Sequence, residues 1–233
     1  MSHAETIMSN PELLAGLVKL TKEAGDVILK IYHSNHFDVQ KKGDESPVTA
    51  ADLAAHHYLI AGLERLTPMI PVVSEEDITS LDIGRNNSSY WLIDPLDGTK
   101  EFINKNGEFT VNLALIEANK TIFGLVGVPI TNTVYWGGQY LGAFRQEQNT
   151  SYPITPIECV KANSPIRVLA SKSHLNEATK ILISELGPTT LLQAGSSLKF
   201  IRIAEGLADY YPRLAPTCEW DTAAAQAVLE GAN

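Results

Sequence analysis

Cysteine is almost missing: the 233 residues hold only Cys159 and Cys218. So thin a supply excludes a disulfide-stapled secreted scaffold, and a reduced cytoplasmic chain is expected. No run approaches the ~18 consecutive apolar residues of a membrane helix. The N-terminal MSHAETIMSN has no basic stretch followed by an apolar one, so no signal peptide is expected. Peripheral attachment to the inner face of the cell membrane stays open. Basic residues are scarce too, 18 against 27 acids for a net charge of −9. That balance argues against binding a nucleic-acid polymer. Neither internal repeats nor low-complexity segments occur. Of the six histidines (His3, His33, His36, His56, His57 and His174) none has HExxH spacing, so zinc is not expected. Walker A and G-x-G-x-x-G are absent, and Ser171 and Ser173 lack a nucleophile elbow.

What is present is a globular composition, 44% apolar and 19% charged, enough for a real core. The length suits one large domain or two closely packed small ones. The spacing predicts a helix over residues 11–33, with Asn10 as N-cap and Pro11 at its first position. Further expectations are a strand at 37–40, a turn through KKGDES, and a helix from Thr49 to Leu66. An antiparallel meander is expected over 110–117, 121–129, 133–136 and 140–145. QEQNTSYP (146–153) is the best boundary candidate. Beyond it the pattern reads strand, helix, strand, helix, a short strand at 209–211, and a helix from about Glu219. Charge divides unevenly along the chain: residues 1–149 carry 11 basic and 19 acidic residues, the remainder 7 and 8. Several of the surplus acids lie in apolar, strand-like surroundings.

Asp94-Pro95-Leu96-Asp97-Gly98-Thr99 follows the apolar run YWLI. Pro removes a donor and Gly permits a tight turn. The strand end should therefore aim Asp94, the Leu96 carbonyl and Asp97 at one point, an all-oxygen set that suits Mg²⁺. Gly98 and Thr99 open a helical segment, TKEFI, whose free N–H groups suit a phosphate. A metal cluster beside such a helix start is what phosphate-ester hydrolysis needs. Three other acidic positions are ambiguous alone. One of Glu75, Glu76 and Asp77, in VVSEED, fits a further metal ligand, but alone the three read more simply as a charged loop. Asp52 and Asp221, at predicted helix starts, fit capping roles equally well.

Taken together, these residues resemble the inositol monophosphatase superfamily of Mg²⁺-dependent, lithium-sensitive phosphatases. YWLIDPLDGT, VVSEE and EWDTAA match its three metal-site motifs. VTAADLAAH, GTKEFI, ASKSH, GSSLKF and GLADYYPRL are most similar to its 3′(2′),5′-bisphosphate nucleotidases of CysQ type. The resemblance implies an α-β-α-β-α sandwich, with residues 1–145 holding most of the metal site and 146–233 facing a nucleotide. It also implies that the family pattern continues past Asn233 with further strands and a terminal helix.

For the site, the resemblance implies that Glu75, Asp94 and the Leu96 carbonyl hold one Mg²⁺ and Asp94, Asp97 and Asp221 a second, with a weaker third near Glu75. Asp52 and Thr99 would orient and deprotonate the attacking water. The Gly98 and Thr99 amides would take the scissile phosphate, and His174, Ser196, Lys199 and Arg213 the rest of the nucleotide. The implied reaction is removal of the 3′-phosphate of adenosine 3′,5′-bisphosphate in sulfur assimilation, with 3′-phosphoadenylyl sulfate as a second substrate. Two alternatives stay open: a phosphatase for inositol monophosphate or a sugar bisphosphate, and a catalytically weak phosphate- or metal-binding protein. Monomer and homodimer are equally compatible with the sequence.

Overall fold

The computed structural model describes residues 2–34, 39–41, 47–148, 150–154, 164–171 and 176–232. The chain opens with helices α1 (His3–Ser9) and α2 (Pro11–Ser34). Asn10 caps α2 as expected, its Oδ1 accepting from Leu13 N at 3.1 Å. Strands β1 (Gln40–Lys41) and β2 (Pro47–Val48) pair antiparallel. The rest of the strand expected over 37–40 and most of KKGDES lie outside the described residues. Helix α3 (Ala50–Leu66) starts at Thr49.

Seven strands then form the main sheet, in chain order: β3 (Val72–Ser74), β4 (Ser89–Asp97), β5 (Thr110–Glu117), β6 (Lys120–Val128), β7 (Thr133–Gly138), β8 (Gly142–Glu147) and β9 (Thr150–Pro153). β3 runs parallel to β4 and all later pairs are antiparallel, the expected meander with one strand more. Helices α4 (Leu81–Asn86) and α5 (Thr99–Ile103) flank β4 in sequence. The stretch 146–153 ends β8 and forms the edge strand β9, and it pairs as a hairpin with Glu147 opposite Thr150.

From β3 to β7 the sheet is largely buried on both faces, which is why these strands read as apolar runs rather than as clean alternations. On β5, Val111, Leu113 and Leu115 join the core under α2 and α3. Ala114 and Ile116 point the other way, toward α7 (Leu198–Ala204) and α8 (Ala223–Gly231). The alanine-rich start of α8 lies directly on β6. A Cβ at Gly124 would come within 2.1 Å of the Ala224 carbonyl oxygen, so only glycine allows this approach.

Beyond α7, strands β10 (Ile166–Ser171) and β11 (Thr189–Ala194) pair in parallel, with α6 (Glu177–Glu185) as their crossover. Leu169, Ala194 and Ala208 pack against Ile203 of α7. Helical and sheet layers thus alternate as in the expected α-β-α-β-α sandwich. The strand expected at 209–211 reduces to one parallel bridge, Val168 to Tyr210. Asp209 is occupied otherwise: its carboxylate takes the backbone N–H of Arg167 at 2.7 Å and Arg167 Nε at 3.0 Å.

Candidate active site

Asp94-Pro95-Leu96-Asp97 is not a turn after the strand. β4 continues through it, and its register against β5 shifts between Asp94 and Asp97. A proline inside a strand is tolerated at such an irregularity because no ladder donor is needed there. The bulge sends both carboxylates to the same end of the sheet. Asp94 is 1% exposed, and its Oδ1 accepts from Leu96 N at 3.1 Å. Gly98 follows at φ +96°, where a side chain would also press on the Glu108 carbonyl at 3.0 Å. This left-handed residue turns the chain from β4 into α5.

Asp221 reaches the same place from the far end of the sequence. It sits in a 3₁₀ turn, Glu219–Asp221, rather than in the α-helix proper. Its Oδ2 accepts from Thr217 Oγ1 at 2.7 Å and from Cys218 N at 3.0 Å. One oxygen each from Asp94, Asp97 and Asp221 lies within 4.8 Å of the others. Glu75 follows the last residue of β3, its backbone N–H donating to Ile93 O at 3.1 Å, and its side chain hydrogen-bonds Asp94.

Burial, and then the neighbouring charges of Glu75, Asp97 and Asp221, push the Asp94 carboxyl well above its usual range. Burial raises Asp97 to about 7, opposed by the ammonium of Lys199. Asp94 and Asp97, desolvated and crowded by neighbouring acids, favour protonation unless cations join them. Hard oxygen donors of this kind suit Mg²⁺, so the residues present fit the ion that the motif calls for. Glu75, Asp94, Asp97 and Asp221 are the groups that could hold it.

Asp52 and Thr99, 47 residues apart, also meet. Asp52 stands at the third position of α3, not at its cap, and is 1% exposed. Its Oδ2 closes a capping box with Thr49, at 2.7 Å from the Thr49 nitrogen and 2.6 Å from Oγ1. Its Oδ1 accepts from Thr99 Oγ1 at 3.1 Å. The capping and functional readings of Asp52 thus hold together, one oxygen for each. Burial raises its pKa against the pull of the Thr49 and Thr99 hydrogen bonds. The Thr99 hydroxyl also lies 3.4 Å from the Leu96 carbonyl.

A cleft of about 230 Å³ opens over this cluster. Glu75, Asp97, Gly98, Thr99 and Asp221 line it together with Ser196, Lys199 and Arg213. His174 lies outside the described residues. Lys199 is not the surface charge its helix suggests. It is 5% exposed, and its Nζ donates to the carbonyls of Ser196 and, at 3.4 Å, Ala194. Burial lowers its pKa, while Asp97 pulls it back up. Arg213 donates through Nη2 to Pro216 O at 3.0 Å, and its Nε is buried with no partner among the described residues.

Sequence reasoning passed over Phe200 and Tyr211, whose rings meet edge-to-face 5.4 Å apart on the cleft wall. It also passed over Thr110, Asn112 and Ser197 behind Asp97. The one available signal was an asparagine inside the apolar run TVNLALIE.

Residues 9–233 match the Inositol monophosphatase family. The "3'(2'),5'-bisphosphate nucleotidase CysQ" of Escherichia coli O6:H1 is 44% identical over 222 residues, covering 95% of this chain and 88% of that one. The protein of the same name from Haemophilus influenzae is 33% identical over 222 residues, covering 94% and 82%. Among solved structures, CysQ from Bacteroides thetaiotaomicron, described as a bacterial member of the inositol monophosphatase family, superposes with a TM-score of 0.80 at 35% identity, covering 95% of this chain and 86% of that one. SuhB from Bartonella henselae shares the fold at 22% identity, with a TM-score of 0.77 over 95% and 85% of the chains.

Proposed function

The chain belongs to the inositol monophosphatase family, and from that premise we propose that it is an Mg²⁺-dependent phosphatase that removes the 3′-phosphate of adenosine 3′,5′-bisphosphate, giving AMP and phosphate. One observation carries this reading. The carboxylates of Asp94, Asp97 and Asp221 cluster at one point, Asp97 and Asp221 line a cleft with two cations, Lys199 and Arg213, and Arg213 Nε has no hydrogen-bond partner among the described residues. The acids suit metal ions and the two cations suit a second phosphate, through an arginine fork and a lysine point charge. The curated relatives at 44% identity carry the corresponding name. In this reading residues 1–145 supply most of the metal side and 146–233 the nucleotide side, and 3′-phosphoadenylyl sulfate is a second substrate.

Glu75, Asp94, the Leu96 carbonyl, Asp97 and Asp221 would hold two Mg²⁺ ions, with a weaker third near Glu75. When bound, Mg²⁺ lowers the pKa of water and neutralises charge on the leaving oxygen. The protein's own groups do the rest. The Thr99 hydroxyl already donates to Asp52, so its oxygen is left to accept from an attacking water. As the water oxygen bonds to phosphorus, its proton passes to Thr99 and the proton of Thr99 passes to Asp52, while the bond to the ribose 3′ oxygen breaks and that oxygen takes a proton from solvent water to become the 3′-hydroxyl of AMP. A carboxylate with a raised pKa is the better acceptor for that proton. The Gly98 and Thr99 amides would hold the phosphate, and Ser196, Lys199, Arg213 and His174 the remaining nucleotide.

Phosphate release from adenosine 3′,5′-bisphosphate, inositol monophosphate and fructose 1,6-bisphosphate tests the reading. The expected order of kcat/KM puts the nucleotide first, with no release in EDTA. A preference for inositol monophosphate, or turnover in EDTA, overturns it.

A further inference from the structure

Asp97 is fastened from behind by residues that approach from both halves of the chain. Its Oδ2 accepts the backbone N–H of Ser197 at 2.5 Å and the Asn112 amide Nδ2 at 3.3 Å. The Asn112 Oδ1 accepts from the Ser197 hydroxyl at 2.9 Å. Ser197 Oγ lies 2.8 Å from Thr110 Oγ1. Each hydroxyl has a single proton. With the Ser197 proton committed to Asn112, the Thr110 hydroxyl must donate to Ser197. The result is a one-way chain, Thr110 to Ser197 to Asn112 to Asp97, closed by the Ser197 N–H on the same carboxylate oxygen. Thr110 and Asn112 are fully buried and Ser197 is 1% exposed, so the Thr110–Ser197 and Ser197–Asn112 links are shielded from water. Hydrogen bonds in such a chain polarise one another.

Among the described residues, the hydrogen bonds to Asp97 fall on Oδ2, from Ser197 N and Asn112 Nδ2; Thr110 Oγ1 lies 3.4 Å from the same oxygen, with its proton committed to the closer Ser197. Oδ1 is left for the cluster with Asp94 and Asp221. We infer that Thr110, Asn112 and Ser197 form a positioning clamp. It fixes the rotation of the Asp97 carboxylate so that a single oxygen faces the cation, and so sets cation affinity.

The clamp also joins the two halves of the cleft. Ser197 follows Ser196, which lines the cleft and is held at φ +45°, and Gly195, whose N–H donates to Glu108 at 2.8 Å. A single turn therefore faces the substrate at Ser196 and grips Asp97 at Ser197. Anything that shifts this turn on binding should change cation affinity, and the reverse follows by linkage. The inference rests on the cation-dependent reading above.

The test uses the full chain and Mn²⁺ as an EPR-visible probe. Ser197→Ala removes the central hydroxyl. Thr110→Val removes the first donor without changing shape, and Thr110→Ser keeps it. Removing groups that orient a metal ligand typically weakens affinity 10–100-fold. Ser197→Ala and Thr110→Val should each raise the Mn²⁺ Kd by about tenfold, and Thr110→Ser by less than twofold. Excess Mg²⁺ should restore most of kcat in the first two. Should Ser197→Ala fail to fold, Thr110→Val decides. Wild-type Mn²⁺ affinity in a folded Ser197→Ala or Thr110→Val protein overturns the clamp, even if melting in EDTA has dropped. The two readings fail separately. A wild type that binds Mn²⁺ with the clamp effect but releases no phosphate from the nucleotide loses only the proposed function. Variants with unchanged Mn²⁺ affinity in an active phosphatase lose only the clamp. A wild type that binds no Mn²⁺ loses both.

Discussion

The carboxyl cluster makes a quantitative demand on how Mg²⁺ stabilises the protein at different pH. Burial raises the folded-state pKa of Asp97 from 3.8 to about 7. A group raised in this way contributes stability below its unfolded pKa, and that contribution is lost as pH rises through the folded value. Asp94 shifts in the same direction. Without metal the cluster therefore weighs against the fold most heavily at pH 8 and least near pH 4. Mg²⁺ reverses the sign of the local field but must displace the protons first. With one proton of pKa about 7 to displace, apparent affinity falls by about 30-fold between pH 8 and pH 5.5. If Mg²⁺ is set at a hundred times its Kd at pH 8, binding stabilises the fold by ~2.7 kcal/mol there and by ~0.9 kcal/mol at pH 5.5. For a chain of this size that is a Tm rise of ~5–11 °C at pH 8 against ~2–4 °C at pH 5.5. Differential scanning fluorimetry with MgCl₂, and with an EDTA control at each pH, measures both. An equal or larger rise at pH 5.5 would refute the assignment of these carboxylates as a proton-coupled cation site.

Four other outcomes follow from the same geometry. Asp94→Asn should abolish most phosphate release yet raise the Tm in EDTA, because one of the mutually repelling buried charges is gone; a lower Tm in EDTA would show that the carboxylate serves the fold. Asp52→Asn should lower kcat at least a hundredfold with KM nearly unchanged, and a helix stability loss limited to about 1 kcal/mol should appear in urea melts; wild-type kcat would return Asp52 to its capping role alone. Arg213→Ala should cost about 1–3 kcal/mol in kcat/KM for adenosine 3′,5′-bisphosphate and much less for 3′-AMP, whereas Lys199→Met, which leaves Asp97 without its buried counter-charge, should impair both substrates. Millimolar LiCl should inhibit turnover while KCl does not, and unchanged turnover would count against the nucleotidase branch.

Much of this was legible in the chain itself. Asn10-Pro11 and the spacing of Leu17, Leu20, Ala24 and Ile28 dictate α2, because capping and apolar periodicity are local. The meander from Thr110 onward follows from turn residues and short apolar runs. The acids of the metal cluster could be picked out as a motif, since Asp94 and Asp97 lie on one short segment. Tertiary structure decided everything that depends on two distant segments meeting. Helix propensity could describe Asp52 only as a capping residue; the fold turned its second oxygen to Thr99. Lys199 reads as a solvated charge on a helix, and packing buried it between backbone carbonyls and Asp97. DPLD reads as a turn, because proline and glycine are local breakers. Pairing with β5 kept it in the sheet and used the bulge to aim two carboxylates at one point. The asparagine behind Asp97 showed only as a polar residue in an apolar run, and the serine not at all, because a hydrogen-bond chain between residues 110 and 197 has no sequence period. It exists only once the sheet and α7 bring Thr110, Asn112 and Ser197 within 3 Å contacts in a space that excludes water.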